Sequence, residues 1–209
     1  MSISPYPLYA FHVLESRLLS HSVKYPLQLF KNLTSSSGGK DGDTDSPLFV
    51  TWDIEKNGEN SLRGCIGTFA DQPLEKGIKE YAEISAFQDP RFDAISPAEF
   101  SKLSVDITLL QNFTRGEDAL DWELGKHGIR IHFNYKGSVK SGTYLPSVAV
   151  DQGWTKDWTI INLIAKAGGD AKKVDFGSIQ LTRYEGIKSG IDYRGYKEFM
   201  NKNGLETVL

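Results

Sequence analysis

Cysteine, long apolar runs and excess basic charge are all scarce in this 209-residue chain. The single cysteine, Cys65, excludes an internal disulfide and any zinc site with several cysteines, and it fits a reducing compartment. The formal net charge is −3 and the lysines and arginines are dispersed, so there is no basic stripe for nucleic acid. No hydrophobic run approaches the length that spans a bilayer. We therefore expect a soluble globular protein that binds neither nucleic acid nor membrane.

Targeting signals and nucleotide motifs are also missing. Residues 1–5 carry no basic segment followed by an apolar one, so we expect no secretory signal. We predict a cytoplasmic protein, and a chain of 23.3 kDa is small enough to diffuse into the nucleus as well. The sequence has no Walker loop, no Gly-x-Gly-x-x-Gly fingerprint and no Gly-x-Ser-x-Gly elbow, so nucleotide-dependent enzymes and serine hydrolases lack their usual signatures.

The four histidines do not have the spacing of a metal site. His127 and His132 are five residues apart and would lie on opposite faces of a strand. We therefore predict no metal site, and the sequence indicates no particular cofactor.

The first half of the chain predicts helices followed by a hairpin. Apolar residues recur at helical spacing over 8–33, and Pro26 divides this stretch into a long and a short helix. Residues 34–46 are rich in Ser, Gly and Asp and predict a mobile surface insertion. Asn57-Gly58 predicts a tight turn between two strands. The predicted elements after the insertion are strands at 48–54 and 61–69, a helix from Pro73 to about residue 87, a turn at 89–91 and a strand at 103–110.

The second half repeats this order. Its predicted elements are strands at 129–133 and 139–150 around a turn at 134–137, a helix ended by Gly168-Gly169, a strand at 178–184 and a short helix at 193–201. Both halves run strand, hairpin, strand, helix, strand, which suggests an internal duplication. Because hairpins join antiparallel strands, we predict an α+β fold with a mostly antiparallel sheet and helices packed on it.

The strand that carries Cys65 is the strongest indication of function. If residues 61–69 alternate regularly, Arg63, Cys65 and Gly67 share one face. A positive charge beside a thiol increases its reactivity, and a glycine leaves room for a ligand or for another backbone.

Five runs in a distinctive order carry a family resemblance. They are Leu-Arg-Gly-Cys-Ile-Gly at 62–67, Ala-Phe-Gln-Asp-Pro-Arg-Phe at 86–92, Val-Asp-Ile-Thr-Leu-Leu at 105–110, Lys-His-Gly-Ile at 126–129 and Gly-Thr-Tyr-Leu-Pro-Ser-Val at 142–148. Together they resemble the AMMECR family over nearly the whole chain. The resemblance implies a single domain over 1–209, with two unequal lobes and a cleft near the cysteine motif. It implies no established activity, and it suggests a Memo-type protein as a partner. Members more often carry Glu where this chain has Gln88, which weakens any acid-base role there.

The candidate site residues each have a structural alternative. Cys65 is a candidate nucleophile, and the alternative is a small buried apolar residue. Arg63 and Arg91 could clamp an anion, with Gly64 and Gly67 admitting the ligand to the backbone; the alternatives are an internal salt bridge for Arg63 and a simple turn around Arg91.

Two further candidates come from the second half. His127 is a candidate general base near a strand end, although a histidine that caps a turn is the simpler interpretation. Tyr144 could offer a hydroxyl or a ring to a ligand, although tyrosines at strand ends usually pack.

The sequence thus leads to two hypotheses. The first is that a cleft around residues 63–67 binds a small anionic ligand, with or without catalysis through Cys65. The alternative is a regulatory or adaptor protein, without enzymatic activity, that acts through protein contacts.

Overall fold

The structure is a computed structural model that describes residues 3–34 and 45–209. The described residues form two compact units. Unit 1 comprises the residues up to 109 together with 188–209, and unit 2 comprises 110–187. The predicted insertion at 34–46 lies, for residues 35–44, outside the described residues. A single domain over 1–209 stays a prediction.

Six strands form one antiparallel sheet in the order β2-β1-β3-β6-β4-β5. The strands are β1 (Ser46–Lys56), β2 (Glu59–Gln72), β3 (Leu103–Arg115), β4 (His127–Tyr135), β5 (Ser138–Tyr144) and β6 (Gln180–Asp192). The helices are α1 (Pro5–Leu18), α2 (Leu27–Thr34), α3 (Leu74–Phe87), α4 (Pro146–Asp151), α5 (Lys156–Lys166) and α6 (Tyr193–Lys202). The predicted α+β class with an antiparallel sheet is confirmed.

The repeat predicted from the element order recurs in the strand pairing. The first strand of the first hairpin, β1, pairs with both β2 and β3. The first strand of the second hairpin, β4, likewise pairs with both β5 and β6. Each half therefore has a hairpin whose first strand also pairs with the strand that follows the intervening helices.

Both predicted hairpin turns are present as two-residue loops. Asn57 and Gly58 have φ angles of 56° and 84°, and Lys136 and Gly137 have φ angles of 50° and 75°. Two consecutive residues with positive φ match the type I′ turn, whose twist suits the flanking strands.

One predicted strand is wrong in its second part. A strand was expected over 139–150, but β5 ends at Tyr144 and α4 begins at Pro146. Proline has no N–H to donate to a strand ladder, and its fixed φ suits the first turn of a helix. The apolar run at 148–150 therefore belongs to a short helix.

In unit 1 the sheet has one buried and one partly exposed face. On β1 the residues Leu48, Val50, Trp52 and Ile54 are buried, while the residues between them are only partly buried. Trp52 donates its indole N–H to the Ala82 carbonyl of α3 at 3.1 Å, which ties this face to the helix. Thr51 and Asp53 lie on the opposite face.

Unit 2 has its own core. It is formed by apolar residues of β4 and α5, chiefly Ile129, Ile131, Phe133, Ile160, Leu163 and Ile164. Within residues 3–34 and 45–209, every helix is too short or too polar to cross a bilayer.

Candidate functional site

A register shift divides the cysteine strand at Arg63. Trp52 is paired with Gly64, but the next residue, Asp53, is paired with Leu62. Arg63 is therefore one extra residue in β2, a β-bulge, and side chains do not alternate regularly across it. The expectation that Arg63 and Cys65 share a face assumed regular alternation, and it fails at this point. The two side chains have no partner in common.

Arg63 is enclosed by internal acceptors. Its side chain is 10% exposed, and its Nε lies 2.8 Å from Glu99 Oε1. The other guanidinium nitrogens donate to Glu99 Oε2 and to the carbonyl oxygens of Asp93 and Ala94. Hydrogen bonds from Arg63 are the main reason that the pKa of Glu99 falls to about 2. This is the internal salt bridge that the sequence also allowed for Arg63.

The two glycines of the cysteine motif are closely packed against neighbouring backbone and side-chain atoms. A Cβ on Gly64 would collide with the backbone oxygen of Ser85 in α3. A Cβ on Gly67 would collide with the Leu48 carbonyl oxygen and with the ring of Phe49. In this structure the space beside both glycines is filled by a helix backbone and an aromatic ring.

Cys65 is held through its backbone at the edge of the sheet. Its N–H donates to Asp89 Oδ2 at 2.9 Å, and its carbonyl accepts from Arg91 at 3.3 Å. Because β2 is an edge strand, the outward N–H and C=O of Cys65 have no neighbouring strand to pair with. Residues of the turn at 89–91 provide their hydrogen-bond partners instead. We call Cys65, Asp89 and Arg91 the edge clamp.

The edge clamp contains an ion pair between a buried carboxylate and a half-exposed guanidinium. Asp89 has a 2% exposed side chain and accepts from Arg91 Nε at 3.0 Å and from a terminal guanidinium nitrogen at 2.7 Å. These bonds hold the pKa of Asp89 well below its usual range. The Arg91 side chain is 54% exposed, so part of its guanidinium faces outward.

The Cys65 sulfur lies on the polar face of unit 1. Cys65 is partly exposed, and the Thr51 hydroxyl donates to its Sγ at 3.1 Å. Thr51 is paired with Cys65 on one side and with Asp106 on the other, so the three form a row across the sheet. Lys188 Nζ lies 2.6 Å from Asp106 Oδ2. Asp53 lies on the same face, two residues further along β1. We call Cys65, Thr51 and Asp106 together with Asp53 the polar row.

Sequence reasoning missed three members of the polar row. Thr51, Asp53 and Asp106 are the polar positions of two strands whose other positions are apolar, Val-Thr-Trp-Asp-Ile and Val-Asp-Ile-Thr-Leu. This alternation places them on one face. The signal was present in the strands themselves, but which strands are neighbours is known only from the fold.

The remaining candidates lie in unit 2. His127 Nδ1 accepts the Glu123 N–H at 3.0 Å, which is the turn-capping arrangement, and burial lowers the pKa of His127. Tyr144 has Trp154 at a centroid distance of 5.8 Å and the Lys166 ammonium 4.4 Å from its ring centroid. Both side chains thus have partners inside unit 2.

Metal ligands do not cluster in the described ranges. Within residues 3–34 and 45–209, no group of three or more His, Cys, Asp or Glu side chains is placed to hold a metal ion.

Comparison with known proteins adds the family. The AMMECR1 family model matches residues 8–189. An uncharacterized protein of Kluyveromyces lactis is 40% identical, over 98% of this chain and 96% of its own length. An uncharacterized protein of Saccharomyces cerevisiae is 38% identical, over 93% of this chain and 88% of its own length.

A solved structure shares the fold. The crystal structure of the uncharacterized protein PH0010 from Pyrococcus horikoshii matches with a TM-score of 0.69 and 21% identity, over 93% of this chain and 97% of that one. At this identity the likeness shows the fold alone. The family match covers most of the sequence, including the cysteine strand and the polar row up to Asp106. The chain belongs to the AMMECR1 family.

Proposed function

We propose that the polar face of unit 1 binds a small anionic ligand beside Cys65, and that the Cys65 sulfur adds to a carbonyl carbon of that ligand. A C–S bond forms, the electron pair of the C=O π bond moves to the oxygen, and that oxygen takes the thiol proton. The observation that carries the proposal is the fixed position of a partly exposed thiol. The backbone of Cys65 is bound by the edge clamp, and its sulfur receives a hydrogen bond from Thr51.

Fixed geometry supports a chemical role because a nucleophile gains most when it is held in a reactive position. A buried apolar cysteine needs no such arrangement, since packing alone would hold it. The hydrogen bond from the Thr51 hydroxyl fixes the direction in which the sulfur points.

Arg91 is the proposed contact for the anionic group. Its guanidinium binds Asp89 on one side, and half of the side chain remains exposed next to the Cys65 carbonyl. A planar guanidinium can serve two partners at once because it has five N–H donors. Arg63 is left out of this proposed contact because four hydrogen bonds to internal acceptors engage it.

The remaining predicted ligand residues take no part in the proposal. The space beside Gly64 and Gly67 is occupied by neighbouring atoms of the fold. His127 and Tyr144 belong to unit 2, where each has partners of its own.

A thermal-shift screen with small carboxylates and phosphates tests the binding step. A ligand that binds only the folded state raises the apparent Tm. We expect at least one anion to raise the Tm of the native chain and to slow alkylation of Cys65 by iodoacetamide. Both effects should weaken in Arg91→Lys, which keeps the charge and loses the planar fork.

The matched control is Arg194→Lys, because Arg194 is an exposed arginine on α6 paired with Glu198 within one helix. If no anion shifts the Tm or protects Cys65, and a protein partner is captured specifically, the adaptor hypothesis replaces this one.

A further inference from the structure

A cavity of about 310 Å³ lies beside α1 in unit 1. Its walls are formed by the second half of α1, by the segment at 21–25 and by residues 206–208 near the chain end. This volume is at the lower end of the range for pockets that bind small molecules, about 300–1,000 Å³. The residues of the walls belong neither to the edge clamp nor to the polar row, so this cavity is separate from the Cys65 site.

His12, in the wall of this cavity, has a buried ring nitrogen without a partner. The residue is 5% exposed, and its Nε2 accepts the Tyr25 backbone N–H at 3.1 Å. Its Nδ1 is buried and has no hydrogen-bond partner in the part of the chain that the structure describes. Buried polar groups are nearly always hydrogen-bonded, so this nitrogen calls for an explanation.

The Nδ1 atom of His12 is a donor. Burial lowers the pKa of His12 and outweighs the opposing effect of Glu15, so the ring is neutral at pH 7. A neutral imidazole has one protonated nitrogen, and the nitrogen that accepts a hydrogen bond is the other one. Because Nε2 accepts from Tyr25, the proton is on Nδ1. The cavity wall therefore contains an N–H group that needs an acceptor from outside the chain.

The charges of the walls disfavour an anion as that acceptor. Glu15 is 3% exposed and accepts hydrogen bonds from Tyr196, from Thr207 and from two backbone N–H groups. These donors satisfy its oxygens but leave its negative charge beside the cavity. Lys24 and Glu206 pair with each other at 2.6 Å, so the Lys24 charge is already compensated. A second carboxylate or a phosphate in the cavity would be repelled by Glu15.

Apolar groups in the walls suit a ligand with an apolar body. The Tyr25 ring centroid lies 5.0 Å from that of His12, and Leu19 and Val208 also line the cavity. Val208 is 69% exposed, so a ligand that covers it removes apolar surface from water.

We infer that this cavity binds a small neutral molecule of the carboxamide class. The carbonyl oxygen of the ligand accepts the Nδ1–H of His12, and its apolar body contacts Tyr25, Leu19 and Val208. A carboxamide provides the acceptor that His12 lacks and brings no negative charge towards Glu15. This inference is independent of the proposed function, because it concerns other residues and another ligand.

Benzamide and benzoate are matched probes of this site, since they have nearly the same size and shape and differ in charge. Long-range proton–nitrogen NMR spectra of ¹⁵N-labelled protein show which nitrogen of each histidine ring is protonated. We expect Nδ1 of His12 to be protonated in the free chain and its resonance to move when benzamide is added. Benzoate should bind more weakly than benzamide, by about fivefold or more.

His12→Gln removes the Nδ1 donor and keeps an oxygen that can accept the Tyr25 N–H. It should weaken benzamide binding about two- to tenfold, the worth of one hydrogen bond. His132→Gln is the matched control, because it makes the same substitution in unit 2 and should leave the affinity unchanged. If His12→Gln does not fold, the ring resonances of the native chain decide the question alone.

Four results would overturn the inference. An unprotonated Nδ1 in the free chain would remove the donor. A protonated Nδ1 whose resonance neither probe moves would mean that an ordered water is its only partner. Equal affinities for benzoate and benzamide would contradict a neutral ligand. Benzamide binding in His12→Gln as tight as in the native chain would contradict the contact with His12.

Discussion

Arg63 is enclosed by acceptors that all belong to residues 93–99. Glu99 takes two of its hydrogen bonds, and backbone carbonyls take the others. Ser96 also donates to Glu99 Oε2 from its backbone and its hydroxyl, each at 2.9 Å. The arginine of the cysteine motif therefore fixes the segment that leads into β3. Removing one partner of such a pair leaves the other charge without compensation, which is more costly than never burying the pair.

Glu99→Gln should lower the free energy of unfolding at pH 7 by about 2–4 kcal/mol, near the lower end of buried pairs because Glu99 is 25% exposed. The folded pKa of Glu99 is about 2, below its ordinary value of 4.5. A depressed carboxyl pKa stabilises the fold above the ordinary value, and this contribution is lost as the pH falls from about 4.5 towards 2.

Urea unfolding at pH 7 and pH 3 measures this contribution. The difference in the free energy of unfolding between the native chain and Glu99→Gln should be smaller at pH 3 than at pH 7. Glu198→Gln, in an exposed helical pair with Arg194, is the control and should change the free energy of unfolding little at either pH. An equal difference at both pH values would contradict the account of the Arg63 pair.

Gly64→Ala should destabilise the chain by about 1–3 kcal/mol, because its Cβ would collide with the Ser85 backbone oxygen and either α3 or β2 must move. Gly177→Ala is the control, since the nearest atom there is at ordinary contact distance, 3.4 Å. Denaturant unfolding of both variants measures the difference. If Gly64→Ala is as stable as Gly177→Ala, the close approach of α3 does not explain this glycine.

At the scale of elements, the turn at 89–91 completes an edge strand. The outer N–H and C=O of Cys65 would otherwise face solvent as an open sheet edge. Asp89 also accepts the Arg91 backbone N–H at 3.1 Å, so one carboxylate shapes the turn and binds the strand. The structural turn and the proposed site therefore use the same residues.

Asp89→Asn should speed hydrogen exchange at the Cys65 amide, because a neutral side chain accepts from that N–H more weakly and loses the Arg91 pair. We expect at least a tenfold increase at Cys65, measured by mass spectrometry of peptides from β2. Asp71→Asn, an exposed change on the same strand, should leave that amide as in the native chain. Equal exchange in the two variants would mean that the edge clamp does not protect Cys65.

The order of helices and strands could be predicted where turn-forming residues and the spacing of apolar residues point to the same elements. The Asn-Gly and Lys-Gly turns are local signals, and the structure has them where expected. The first helix ends at Leu18, well before the break expected at Pro26, and Pro26 directly precedes the second helix. The bulge at Arg63 has no local signal, because it depends on how β2 is aligned with β1. The prediction that Arg63 and Cys65 lie on one face of the strand failed for that reason. Cys65 itself was identified as a candidate site residue from its motif.

At the scale of the molecule, the chain end returns to the first helix. The buried Glu15 carboxylate accepts from Tyr196 of α6 at 2.8 Å and from Thr207 at 2.7 Å. It also accepts the backbone N–H groups of Val208 and Leu209. These contacts lie within unit 1 and join residues nearly two hundred positions apart, which no sequence pattern reveals.

Glu15→Gln should lower the stability of unit 1 by about 2–3 kcal/mol, since a neutral amide accepts more weakly from several buried donors. Fluorine NMR of protein labelled with 5-fluorotryptophan measures the unfolding of unit 1, because Trp52 is the tryptophan of that unit. We expect the Trp52 urea midpoint to fall, with Glu206→Gln, which affects an exposed pair with Lys24, as the control. An unchanged Trp52 midpoint in Glu15→Gln would contradict this account.

The alkylation rate of Cys65 tests the central claim most directly. Native and urea-unfolded chains would be treated with iodoacetamide at one pH, and the modified fraction followed by intact mass. A thiol that is fixed, partly exposed and hydrogen-bonded by Thr51 should react faster in the native chain, by about threefold or more. A native rate equal to or below the unfolded rate would contradict a nucleophilic role for Cys65.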